Sequence, residues 1–402
     1  MLKSEVTITR KCYLCHDDVT PVFKSIWPLP GIAPAEIGFS ICNSCGSVVQ
    51  SPTVPFESML QYYSTTAVYT NPGRQEQPTE TKIRDLNEQI QFITRGIGYL
   101  PESALQIGSS DGYTLSRFKQ AGVKKVLGIE PSQASVELAK RLYDIDSVNL
   151  AVENFISDDS FELIIMTHVL EHLYTPHETL LKCFSIQSNI DNAYIYVEVP
   201  LMTDPDLLCP GFFAFEHINY YTRASLEASL INTGYQPVSI VEHVNSNLSP
   251  VIGILAKRIS GNKEPIKISQ RSLNQQTLEK YHCNEMKYWA SCVDKISDEL
   301  LSTNGKLYLW GAGIHTCHLI ANTNIQKLKK IDGIVDTSTL KHGLRQGHWI
   351  CSDPASINWS CGDVIIISSY ASEKEIFDSL SHLRDKGVIT LRLHNIDDSK
   401  SH

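Results

Sequence analysis

The chain has 402 residues, 42 % hydrophobic and 20 % charged, which is ordinary for a globular protein and enough for two or three domains. Forty-four acids against thirty-five bases leave a formal charge of −9. No Lys/Arg block stands out, which argues against a nucleic-acid partner. The first residues carry no apolar signal region, and no apolar run reaches the length of a membrane span. A cytoplasmic protein without a membrane partner is therefore expected, its oligomeric state left open. Eleven cysteines, seven of them scattered singly, fit a reducing compartment better than a disulfide framework.

In chain order, Cys12-Tyr13-Leu14-Cys15 and Cys42-Asn43-Ser44-Cys45 come first. Each is a C-x-x-C pair whose tight turn aims both sulfurs at one ion, and two such pairs complete a tetrahedral zinc site. With four thiolates and no open position the zinc cannot activate water, so its role is structural. Residues 51–79 are rich in Pro, Ser, Thr and Tyr. They read either as a surface linker with aromatic anchors or as a segment that laps over a pocket and presents a tyrosine hydroxyl. Residues 79–99 repeat apolar side chains at Ile83, Leu86, Ile90, Ile93 and Ile97, the period of an amphipathic helix.

The stretch Ala104–Ser132 is the most informative. A short apolar strand runs into Gly108-Ser109-Ser110-Asp111-Gly112, a helix follows from Tyr113 to Ala121, and a second strand ends at Glu130. A glycine turn lets backbone approach a ligand, and an acid at the end of the next strand is where doubly wound folds hold a ribose diol. Together they predict a nucleoside half-site. Further strands are predicted at 161–166 and 193–199, and an antiparallel closing pair at 236–244 and 249–257. His168 and His172 follow the first of these strands, and a phenylalanine-rich loop carrying Glu216 and His217 follows the second. The polar residues 260–275 mark a boundary. A long helix over 276–302 then leads into a second Rossmann-like unit, with a turn at Gly311-Ala312-Gly313 and an acid at Asp336. This turn lacks the third glycine of the dinucleotide fingerprint, so a cofactor-free fold is favoured over bound NAD. The expected fold class is α/β: an N-terminal zinc-binding module with its linker (1–75), a central Rossmann-like sheet (76–260) and a C-terminal Rossmann-like domain (270–402).

The turn, Glu130 and the run His168-Val169-Leu170-Glu171-His172-Leu173 together resemble class I S-adenosylmethionine-dependent methyltransferases. The resemblance covers about residues 80–258. It implies that Gly108, Ser109, Ser110, Asp111 and Gly112 hold the methionine part of S-adenosylmethionine, that Glu130 with Pro131 holds the ribose, and that the run containing His168 closes the site. Gln106 stands where the family usually carries an acid.

Taken with the cysteine module, the loop Glu216-His217-Ile218-Asn219-Tyr220-Tyr221 and the C-terminal unit, nearly the whole chain resembles the sugar C-methyltransferases acting on nucleotide-linked keto-deoxysugars. That resemblance implies His217 as the base removing a proton next to a ketone, with Glu216 beside it and His172 as a second family histidine. Substrate contacts are then expected from Tyr63, Tyr69 and Tyr221, and toward the nucleotide from His315 and Lys341. The family tyrosine two residues before the acid is Ala214 here, which leaves O- or N-methylation of another small molecule open. A different class also stays open: an NAD(P)-binding protein, or a zinc-stabilised binding protein without catalysis.

Overall fold

The computed structural model describes residues 7–27, 35–65, 80–245, 249–259, 265–325, 330–343, 345–346, 349–370 and 372–394. Among these the strands form three sheets. The N-terminal one begins with β1 (Val19–Trp27) and β2 (Ala35–Cys42), which pair antiparallel, and β3 (Val48–Gln50), which pairs with β2. The second cysteine pair is the turn between β2 and β3, so the knuckle and the sheet fix each other. Helix α1 (Phe56–Thr65) follows, where the linker reading expected irregular chain. Met59 and Tyr62, three apart and both buried, form its inner face, a short helical period hidden among Ser, Thr and Tyr. Tyr69 lies outside the described residues, and of Tyr63 only its place in α1 is described.

The central unit runs α2 (Glu80–Ile97), β4 (Ser103–Ile107), α3 (Tyr113–Ala121), β5 (Lys125–Ile129), α4 (Gln133–Tyr143), β6 (Ser147–Val148), β7 (Leu163–Thr167), α5 (Pro176–Ile186), β8 (Tyr194–Pro200), β9 (Asn219–Tyr220), α6 (Arg223–Ile231), β10 (Tyr235–Val244) and β11 (Pro250–Arg258). Seven of these strands form a sheet in the order β10-β11-β8-β7-β4-β5-β6, with only β11 antiparallel to its neighbours. β7 and β8 are almost continuous apolar runs buried along their length, as parallel strands covered on both faces must be. The strand order reverses between β4 and β7, which opens a crevice at their C-terminal ends. β9 leaves this unit and pairs with β3, Val48 opposite Tyr220 and Val49 opposite Asn219. The loop before α6 is thereby a strand of the cysteine module's sheet.

A long helix, α7 (Arg271–Ser302), connects to β12 (Leu307–Trp310), α8 (Ile314–Asn322), β13 (Gly333–Val335), β14 (Arg345–Gln346), β15 (Trp349–Ser352), β16 (Val364–Ile367), α9 (Glu373–Ser379), α10 (Ser381–Arg384) and β17 (Ile389–Arg392). These strands make a second doubly wound sheet, β14-β15-β13-β12-β16-β17. α7 starts five residues before the expected Gln276 because its first turn is anchored on the second knuckle. Gln270 N–H donates to the Cys45 carbonyl (3.0 Å) and Asn274 Nδ2 to that of Gly46 (2.9 Å). Gly46 has φ of 79°, and a Cβ there would lie 2.2 Å from Arg271 N, so both backbone sign and space require glycine. Two turns further on, the Tyr281 hydroxyl accepts the N–H groups of Gly211 and Phe212 (2.9 and 3.1 Å). Among the described residues no helix is long and apolar enough to cross a membrane.

Candidate active site

The crevice between β4 and β7 is lined by the glycine turn. Gly108, Ser110 and Gly112 have φ of 70°, 49° and 78°, a left-handed series that coils the chain tightly before α3. Gly108 and Ser109 donate to the Ile129 carbonyl (2.8 and 3.1 Å), which ties the turn to the end of β5. A Cβ on Gly108 would meet Val169 Cγ2 at 2.5 Å, and one on Gly112 would meet Ala139 Cβ at 2.8 Å. These two glycines are thus required by protein packing as well as by backbone sign.

Glu130 is buried, and its two oxygens accept the N–H groups of Ser110 and Ser132, both at 2.9 Å. Burial raises its pKa, and those two donors pull the other way. Each oxygen retains acceptor capacity, which a ribose diol can use. Asp111 Oδ1 accepts Tyr113 N–H (3.1 Å) at the start of α3, Ser109 Oγ lies 3.2 Å from Ser147 Oγ, and the Pro131 carbonyl accepts Asn149 Nδ2 (2.9 Å). Gln106 Oε1, two residues before the turn, is buried with no hydrogen-bond partner among the described residues. An orphaned acceptor there suits a cationic or N–H-bearing ligand.

A profile of the methyltransferase-domain family matches residues 37–240, just over half of the chain, from β2 into β10. The chain belongs to the class I S-adenosylmethionine-dependent methyltransferases. No curated protein sequence matches it. Similar solved structures include the N-methyltransferase NodS of Bradyrhizobium japonicum with S-adenosylhomocysteine (9 % identity, 50 % of this chain and 98 % of that one, TM-score 0.39). Another is the magnesium protoporphyrin IX methyltransferase of Synechocystis with bound S-adenosylmethionine (13 % identity, 50 % and 96 %, TM-score 0.38). The family assignment rests on the profile match.

In this methyltransferase the loop between β8 and α6 brings His217 against His172, ring centroids 4.9 Å apart and 76° between planes. His172 Nδ1 lies 2.9 Å from the Glu216 carbonyl, so it is Nδ1 that carries a proton and donates. His217 Nδ1 is buried without a partner among the described residues. Burial first, and the neighbouring His172 second, push the His217 pKa down to about 3. At that value the ring stays unprotonated near neutral pH. Glu216 turns away from His217, its carboxylate accepting the Tyr62 hydroxyl. The acid on the histidines' side is Glu171, one of whose carboxylate oxygens lies within 4.8 Å of a ring nitrogen of His172 and of one of His217. Burial raises the Glu171 pKa, but His168, His172 and His217 outweigh it and hold the group ionised. Glu171 was legible only as the centre of the H-V-L-E-H-L run, and Tyr62 was hidden by the linker reading.

The loop is held from below. Gln50 Nε2 donates to the carbonyls of Ala214 and His217 (both 2.7 Å), Gln50 N–H to Ile218 (2.9 Å), and Ile218 N–H to the Glu171 carbonyl (2.9 Å). Phe213 packs among Phe39, Tyr220 and Tyr281. Tyr221 is fully buried, its ring 4.9 Å from Tyr13 of the first knuckle. It packs in the core, with its hydroxyl lacking a hydrogen-bond partner among the described residues. His168 has φ of 54° and its ring stands between Glu171 and Glu198.

In the C-terminal unit Asp336 repeats the arrangement of Glu130: Oδ2 accepts Ala312 N–H (2.8 Å) and Oδ1 accepts Ser338 N–H (2.9 Å). Here Lys341 also pairs with Oδ2 at 2.6 Å, neutralising the acid rather than reaching outward. His315 Nδ1 lies 3.0 Å from Ser368 Oγ and its Nε2 2.7 Å from His394 Nε2. The expected contacts His315 and Lys341 are thus engaged within their own unit.

The sulfurs of Cys12 and Cys45, Cys15 and Cys42, and Cys15 and Cys45 lie 3.5, 3.3 and 3.5 Å apart. Four sulfurs about 2.3 Å from a zinc ion would be about 3.8 Å from one another, so the cluster fits that ion with a small outward adjustment. The N–H groups of Leu14, Cys45 and Ser47 point at the sulfurs of Cys12, Cys42 and Cys45, as donors stabilising thiolates do. One zinc per chain is the expected content. Cys12→Ser and Cys42→Ser should each lose it in metal analysis; unchanged zinc in both would remove the assignment.

Proposed function

We propose that this methyltransferase methylates a carbon next to the ketone of a nucleotide-linked keto-deoxysugar, with His217 as the base. The observation that carries the reading is the neutral, orphaned His217 ring on a loop bound to the cysteine module. Proton removal requires an unprotonated acceptor, and desolvation of the ring keeps it unprotonated. Glu171 stabilises the imidazolium as it forms. Tyr62 offers a phenol beside Glu216, matching in chemistry the family tyrosine that Ala214 replaces. S-adenosylmethionine would supply an electrophilic methyl group on a sulfonium. Gly108, Ser109, Ser110, Asp111 and Gly112 would position its methionine part, Glu130 and Pro131 its ribose, and His168 the near wall. We assign the cysteine module to residues 1–75, the methyltransferase domain to 76–260 and the C-terminal domain, which would face the nucleotide, to 270–402.

The test is to incubate the protein with methyl-labelled S-adenosylmethionine and a nucleoside-diphosphate 4-keto-6-deoxyhexose, and to locate the label by NMR. Label on carbon supports the reading; label on oxygen or nitrogen removes it. Deuterium uptake next to the ketone in heavy water, before any methylation, would report the base alone. On the donor side, Glu130→Ala is expected to cost about 1–3 kcal/mol of S-adenosylhomocysteine affinity in calorimetry, and equal affinity would exclude the ribose role.

A further inference from the structure

His172 belongs to the segment after β7 and His217 to the loop before β9, and their rings meet edge to face with centroids 4.9 Å apart. The chemistry of the pair depends on how these two segments are spaced. We infer that Arg10, acting in part through Asn219, is the positioning residue that sets this spacing. The inference rests on the reading of His217 as the base.

Arg10 stands two residues before the first knuckle. Its backbone N–H donates to Ser51 Oγ (2.9 Å), and Ile8 exchanges both backbone hydrogen bonds with Thr53 (2.8 and 3.0 Å). The main chain is therefore tied to the cysteine module before the side chain leaves it. The guanidinium then reaches both histidine segments with one planar fork. Nη1 donates to the carbonyl of Ile218, the residue after His217, at 2.8 Å. Nη2 donates to the Tyr174 carbonyl (3.1 Å) and to Asn219 Oδ1 (3.0 Å). Arg10 Cζ also lies 5.4 Å from the centroid of the Tyr174 ring, whose hydroxyl donates to the Val54 carbonyl at 2.7 Å. Each end of the fork thus leads back to the same module.

Asn219 completes the bridge. Arginine carries donors only, so the Asn219 atom that faces it is the oxygen, and the amide nitrogen faces the carbonyls of Leu170 and Leu173 (3.3 and 2.7 Å). Those two carbonyls flank His172. Without the guanidinium the amide loses the acceptor contact that fixes its orientation, and the spacing between the two segments loses three charge-assisted bonds at once. A lysine ammonium, whose donors fan out from a single nitrogen, can replace only part of them. Arg10 bonds to backbone carbonyls and one amide, not to either ring, so it acts on the geometry of the groups that react. A misplacement of about 1 Å at such groups can cost about a hundredfold in rate.

In the full-length, zinc-loaded chain, Arg10→Ala is expected to slow deuterium uptake next to the ketone of a nucleoside-diphosphate 4-keto-6-deoxyhexose by about tenfold to a hundredfold. Turnover should fall with it, while KM for the sugar, S-adenosylhomocysteine affinity and zinc content stay as they are. Arg10→Lys should recover part of the loss. Undiminished uptake in Arg10→Ala overturns the inference. A loss shared by donor affinity and zinc content does so too, since Arg10 would then only support the fold. If Arg10→Ala does not fold, Arg10→Lys and Asn219→Asp decide: the aspartate still accepts from Arg10 but cannot donate to Leu170 and Leu173, and undiminished uptake in both overturns the inference. A second readout is independent of the base. The NMR cross-relaxation between the ring protons of His172 and His217 should weaken in Arg10→Ala, and full retention of it sinks the positioning role. A His217→Asn protein that kept full turnover would remove the base reading and leave that ring contact in Arg10→Ala as it is, so the two failures are separable.

Discussion

His217→Asn is expected to lower turnover by about 10²–10⁴ while leaving S-adenosylhomocysteine affinity unchanged. Asparagine keeps much of the volume and polarity of the ring but accepts no proton, so the loss reports base chemistry rather than a cavity. The pH behaviour gives a second, independent reading. Burial holds the folded ring near a pKa of about 3, so the base is competent through neutrality and is lost only as pH falls far into the acid range. The unfolded ring titrates near about 6.5. Between these values the unfolded chain binds a proton that the folded chain does not, so stability falls as pH is lowered through that window. The rate profile should therefore be flat near neutrality, with its acid side met by unfolding in thermal melts. A sigmoidal rise centred near pH 6.5, or full activity of His217→Asn, would transfer the base role to another group, with His172 first in line.

Expectation and structure agree most closely in the central sheet. The apolar runs at 104–107, 161–166 and 193–199 are strands because no amphipathic alternative exists for them, and the antiparallel pair over β10 and β11 follows from their length and patterning. Glu130 was placed from its distance to the glycine turn, a local quantity that a sequence carries directly. Long-range geometry was not available in that way. Whether Glu171 or Glu216 faces His217 depends on how the 216–220 loop pairs with β3, a contact between residues some 170 positions apart in the chain. Spacing along the chain favoured the adjacent Glu216; the fold turned it toward Tyr62. The downward shift of the His217 ring has the same origin, since it depends on burial and on His172 being packed against that ring from a distant part of the chain. Lys341 was read as outward-facing although Asp336 stands only five residues before it; the short helical turn over Thr339–Lys341 is what folds it back onto that acid.

Loss of the zinc expected at the four cysteines, by chelation or by Cys42→Ser, should reduce methyl transfer at least as far as His217→Asn does, while the donor still binds. A four-thiolate zinc contributes on the order of 10–16 kcal/mol to a small module's folding, whereas each hydrogen bond holding the His217 loop contributes about 1 kcal/mol. The loop depends on that module through β9 against β3 and through Gln50, whose Nε2 bonds two loop carbonyls. α7 rests on the same knuckle and supports the loop again through Tyr281. The donor half-site is built instead from β4, β5 and α3, none of which pairs with the cysteine module's sheet. Stripped protein should accordingly bind S-adenosylhomocysteine in calorimetry with little change. Its backbone amides over 211–222 should exchange faster while those of 103–107 and 125–129 keep their protection. Retained turnover would mean that the bonds from Ile218 and Asn219 to the 170–173 segment hold the loop unaided. Parallel loss of donor affinity would mean that the zinc supports the whole fold, and the division of labour between the two sheets would fall.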